Sequence, residues 1–187
     1  MKTVNQEFVN EIEVKKSKFI SFLLPYSEFD KRLQELKSIH KKANHFVIAF
    51  RYYNEYNQII ENSSDDKEPR GSAGKPTLKV LEGNDLINVG IITVRYFGGI
   101  LLGVGGLVRA YSDSANEVIK KANLIEYKDV FEYTFSIDYD KTREFEYLIK
   151  KYNIFVVDRR FGMNGIEYII RDDIEKIEKL RDENFNS

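Results

Sequence analysis

Apolar residues fall in short dense runs separated by polar stretches, and their spacing changes along the chain. Residues 11–26 alternate at Ile12 and Val14, then run dense through Phe19, Ile20, Phe22, Leu23 and Leu24 to a stop at Pro25, which predicts one or two strands. Ser27 stands in an N-cap position with Glu28 and Asp30 behind it. Phe29, Leu33, Leu36 and His40 then recur on one helical face, so a helix is expected to about residue 42. The β-branched and aromatic run 45–53 and the shorter run 58–61 predict a hairpin turning at 54–57. Residues 62–76 hold no aliphatic side chain larger than Ala73 and read as a loop of about fifteen residues, longer than compact domains usually carry without purpose.

Beyond that loop, residues 77–81 suit a short helix, and the near-continuous apolar run 87–96 predicts a strand buried on both faces. A glycine-rich stretch follows. Residues 107–122 then read as a helix carrying Val108, Tyr111, Ala115, Val118 and Ile119 inward, and a first domain should close near Ile125. The remainder has its own rhythm: strands over 130–139, 154–161 and 166–170, a helix over 141–152, and a last helix from Asp172 and Asp173 to about Glu183. This βαββα order is most of a ferredoxin-like α+β sandwich, with no final strand expected in the last four residues. The division is therefore a β/α domain over 1–127 and a small α/β sandwich over 128–187.

Composition narrows the class. There are 0 cysteines, which excludes disulfides and thiolate metal sites, and a formal net charge of -1 excludes a wholly basic nucleic-acid binder. Residues 1–128 carry 19 Lys and Arg against 16 Asp and Glu, and residues 129–187 carry 10 against 14, so any basic face belongs to the first part. No signal-peptide pattern opens the chain, and no apolar run approaches the ~20 residues of a membrane span. A soluble, cytoplasmic protein is expected.

Two stretches could carry chemistry. Gly98, Gly99, Gly103, Gly105 and Gly106 lie between Arg95 and Arg109, ahead of a helix. Open N–H groups at a helix start and two arginines would suit a phosphate or another anion; the plain alternative is a tight packing turn. The run matches neither a Walker loop nor GxGxxG. The second stretch holds Asp65, Asp66 and Glu68, which could bind Mg²⁺ through Asp65 and Asp66 or belong to a solvated turn. His45 or Glu68 could move a proton, whereas His40 suits a partly buried place at a helix end. Tyr52, Tyr53, Tyr56, Tyr96 and Phe97 could stack on unpaired bases or pack a hairpin and core.

The runs SKFI at 17–20, ANH at 43–45, SDDKEPRGSAGKP at 64–76 and RYFGGILLGVGGLVRAY at 95–111 together resemble the YigZ/IMPACT family in order and spacing. The resemblance implies an N-terminal β/α domain of the type shared by ribosomal proteins, elongation factor G and small-molecule kinases, followed by a ferredoxin-like domain similar to the last domain of elongation factor G. It also implies a translation-linked regulatory role, with RNA or a ribosome-associated protein as partner. Eukaryotic IMPACT members restrain translational-stress signalling by competing for the activator of an initiation-factor kinase, through a further domain not found in these residues. An Mg-dependent enzyme acting on a phosphate-containing small molecule at the glycine-rich loop is the alternative. The chain departs from the family's usual motifs at Lys67 for Gly, Arg70 for Ser, Ser72 for Thr and Leu101 for Lys. A three-stranded C-terminal sheet would leave an edge that a partner or a second copy could cover. The acidic and glycine-rich stretches are expected to face each other. A closed-core ion pair between Asp65, Asp66 or Glu68 and Arg95 or Arg109 would make the glycines packing devices and place the site elsewhere.

Overall fold

The computed structural model describes residues 1–183, so the expected absence of a strand in the last four residues lies outside the described residues. The chain divides into two compact units, Met1–Tyr127 and Lys128–Ser187. The first contains β1 (Lys2–Thr3), β2 (Phe8–Val14), β3 (Ser17–Pro25), α1 (Phe29–Ile39), β4 (His45–Tyr53), β5 (Ile59–Ser64), α2 (Gly74–Gly83), β6 (Val89–Tyr96), α3 (Val104–Lys121) and β7 (Ile125–Glu126). The second contains β8 (Val130–Asp138), α4 (Thr142–Lys151), β9 (Phe155–Phe161), β10 (Gly165–Asp173) and α5 (Ile174–Asp182). The fold is mixed α+β.

In the first unit, β2-β3-β6-β4-β5 form a sheet in that order, with every pair antiparallel. The central strand β6 is buried from Val89 to Arg95, as its unbroken apolar run predicts. Alternate residues serve opposite faces. Ile92 and Val94 pack with Phe22, Leu24 and the α1 residues Phe29 and Leu36. Val89 and Ile91 pack with Leu81 of α2 and with Ala115, Val118 and Ile119 of α3. Ser21 Oγ lies 2.7 Å from both Thr93 Oγ1 and Ser114 Oγ, so buried hydroxyls tie β3, β6 and α3.

Several boundaries differ from the sequence expectation. A 3-10 turn over Tyr26–Glu28 precedes α1, Ser27 supplies no cap, and the helix ends at Ile39 rather than near residue 42. The acidic loop is shorter than fifteen residues because β5 continues to Ser64, where Ser63 and Ser64 pair with Ala49 and Ile48. An edge strand needs backbone partners on one side only, and polar side chains there leave no apolar signature. Likewise α2 begins at Gly74 and α3 at Val104, which takes Gly105 and Gly106 into its first turn.

In the second unit, β10 lies between β8 and β9 and is antiparallel to both. Phe135, Phe145, Leu148, Tyr168, Ile170 and Ile177 fill its core. Asp173 caps α5 by accepting from Lys176 N at 3.0 Å. No helix among the described residues is long and apolar enough to cross a membrane.

Candidate functional site

The acidic loop and the glycine-rich stretch meet over the end of β6. Arg95 Nη1 donates to Glu68 Oε1 at 2.5 Å, and the Tyr111 hydroxyl on α3 donates to the same oxygen at 2.8 Å. Arg95 is 5% exposed and Glu68 8%, so the pair is buried. Phe19 lies under the guanidinium, 5.4 Å from ring centroid to Cζ, while the buried Nε has no hydrogen-bond partner among the described residues. Burial first, then the charge of Glu68, pushes the Tyr111 phenol above its ordinary value, so it stays protonated and donates.

His45 opens β4 and faces the same carboxylate, with Nε2 3.7 Å from Glu68 Oε1. Its Nδ1 lies 2.7 Å from the Asp66 carbonyl oxygen. A carbonyl only accepts, which assigns the proton to Nδ1 and leaves Nε2 on the Glu68 side. The Asp66 carboxylate accepts from Phe46 N at 2.6 Å, so backbone and side chain of one residue clamp the loop to β4. Asp66 and Lys67 both take the left-handed conformation, at φ 41° and 71°, and Lys67 stands where the resembled motif carries glycine.

Asp65 has a different task. Its carboxylate accepts from the backbone N–H groups of Gly71, Ala73 and Gly74 at 2.7, 3.1 and 2.8 Å, anchoring the start of α2 from nine residues away. Asp65 and Asp66 therefore both bond backbone N–H groups. Among the described residues no group of three or more His, Cys, Asp and Glu could hold a metal ion. The two carboxylates named for Mg²⁺ are thus engaged by backbone donors.

The glycines serve close approach and turning. A side chain on Gly98 would lie 2.0 Å from the Lys16 carbonyl carbon, and Gly103, at φ 71°, is the N-cap residue of α3 without any side-chain cap. Arg109 is exposed on α3 and does not line the cleft described next, and Arg95 is already paired with Glu68. Arg95 is thus engaged by Glu68 rather than free for an anion. The buried Glu68–Arg95 pair meets the condition set for reading the glycines as packing devices and the site as lying elsewhere, yet both residues also line a cleft.

Above the pair opens a cleft of about 420 Å³. Asn44, His45, Glu68 and Arg95 supply its polar lining; Pro69, Phe97, Leu101, Leu102, Gly103, Val104 and Leu107 supply the rest. Leu101, in the place of the resembled motif's lysine, is 83% exposed. Phe97 and Val104 are also exposed, so the rim is apolar. The other aromatics considered for base stacking lie elsewhere: Tyr52 stacks on Tyr26, and the Tyr96 hydroxyl is 2.8 Å from His40 Nδ1. Pattern reading placed Tyr111 in the core and missed its hydroxyl's partner; the available signal was that a buried tyrosine tip requires one. Leu101, Leu102 and Val104 gave no signal as lining residues.

What fold and cleft define is a class: an α+β protein with a ligand-sized recess where two loops close over a central strand, and no metal set among the described residues. Residues 15–119 match the model of the Impact N-terminal domain, a span that includes every residue lining the cleft. An IMPACT family member of Haemophilus influenzae is 36% identical over 162 residues, which cover 83% of this chain and 77% of that protein. IMPACT family member YigZ of Escherichia coli is 33% identical over 140 residues, 73% of this chain and 69% of YigZ. The chain belongs to the IMPACT family. The crystal structure of a hypothetical protein matches it with a TM-score of 0.71 at 25% identity, covering 98% of this chain and 90% of that one.

Proposed function

We propose that this chain is a translation-linked regulatory protein that binds a ribosome-associated protein at the cleft between the acidic and glycine-rich loops. The observation that carries the choice of a protein over RNA is the rim: Phe97, Leu101 and Val104 are exposed beside a guanidinium whose charge Glu68 neutralises. RNA affinity rests on cations free to meet phosphates, whereas exposed apolar side chains around a recess suit a protein surface. The translational part rests on family membership. Nothing in the site favours the Mg-dependent enzyme, since Asp65 and Asp66 bond backbone N–H groups.

Sedimentation through a sucrose cushion with unwashed and salt-washed ribosomes tests this reading. Co-sedimentation with unwashed ribosomes alone, lost in Leu101→Asp, is the expected result. Equal co-sedimentation with salt-washed ribosomes would point to ribosomal RNA or core proteins, and no co-sedimentation with either would overturn the reading.

A further inference from the structure

Glu68 is a buried carboxylate with one oxygen occupied and one open. Arg95 Nη1 and Tyr111 OH both donate to Oε1, and His45 Nε2 lies 3.7 Å from the same oxygen. No group among the described residues bonds Oε2, and Oε2 is not among the side-chain atoms sealed from solvent without a partner. Glu68 lines the cleft, so the free acceptor opens there. An acceptor open to a cleft exchanges its water for a ligand donor, and the bond strengthens as the ligand excludes solvent. Arg95 balances the carboxylate's charge, so a neutral donor fits better than a cation. The apolar lining includes Pro69, Phe97, Leu102 and Leu107, which suits a flat ring. Gly103 and Val104, where α3 begins without a side-chain cap, also line the cleft.

We infer that the cleft takes an aromatic side chain bearing a ring donor, tryptophan or tyrosine, from the partner protein, with the ring against Phe97 and Leu107 and the indole N–H or phenol O–H on Glu68 Oε2. This rests on the proposed role as a protein-binding module and names the anchor that such a partner presents. A nucleobase also has a flat face and donors, but it brings phosphates, and the one guanidinium in the lining is neutralised. Trp and Tyr are also the side chains that dominate binding energy at protein interfaces.

The chain contains 0 Trp, so the indole fluorescence of an added peptide reports only that peptide. Acetyl-Gly-Trp-Gly-amide is titrated with the full chain, with the Phe and Lys counterparts and adenosine as competitors. Expected are a saturable blue shift, a Phe-peptide inhibition constant about tenfold weaker than the Trp peptide's own Kd, and loss of the shift in Leu101→Asp, a substitution at a residue 83% exposed. No shift, equal competition by the Phe peptide, stronger competition by the Lys peptide, displacement by adenosine, or binding unchanged in Leu101→Asp would each overturn the inference. Peptide binding without ribosome co-sedimentation would leave the anchor standing and remove the ribosomal partner; the reverse result would remove the anchor alone.

Discussion

Asp65 accepts the N–H groups of Gly71, Ala73 and Gly74, and its charge is thereby built into the start of α2. Burial pushes its carboxyl up, but the three donors, with help from Lys75, outweigh burial and hold the group below its ordinary value. A lowered folded value means that the stabilisation is complete above the ordinary carboxylate range and is lost as pH falls through that range toward the lowered value. Asp65→Asn is therefore expected to cost about 1–3 kcal/mol near neutral pH and much less in acid. Urea denaturation of both forms between neutral and acid pH checks this, and parallel pH profiles would count against it. The spacing of Asp65, Asp66 and Glu68 gave no sign of this division of labour. Asp65 acts within its own loop, Asp66 holds β4, and Glu68 reaches Arg95 and Tyr111, 27 and 43 residues away.

The elements most legible in the sequence were those with a strong apolar pattern. β6, an unbroken run, is buried on both faces, and α3 carries Tyr111, Ala115, Val118 and Ile119 inward as its periodicity predicts, while Val108 is only half-buried. Less legible were β5, polar on a sheet edge, and the start of α2, whose cap is the distant Asp65. The β2–β3 hairpin turns on Lys15 and Lys16 at φ 46° and 64°, in place of the Asn or Gly that would have announced the turn. The glycine-rich stretch suggested an anion turn, yet Gly98 is held against Lys16, and Gly98 N donates to Ser17 Oγ at 3.1 Å. Gly98→Ala is expected to destabilise by about 1–3 kcal/mol or more, because the obstacle is backbone that cannot rotate away. Thermal unfolding of the variant beside the parent chain measures this; an unchanged midpoint would mean that the β2–β3 turn yields freely.

For the whole molecule, the apolar clusters of Met1–Tyr127 and Lys128–Ser187 share no residue. Residues 1–127 expressed alone are expected to unfold cooperatively and to keep near-ultraviolet circular dichroism from their tyrosines. Loss of either would show that the first unit needs the second. The sequence by itself determined the main strands and helices, their order and the family, because apolar periodicity reports burial locally and the long motifs are specific. Only the tertiary structure decided which carboxylate meets Arg95, that Arg109 stays outside, and that an apolar-rimmed cleft opens above a buried ion pair. Those facts depend on sheet order, which brings β4, β6, the acidic loop and α3 together. No local pattern encodes which distant side chains then come within hydrogen-bond reach.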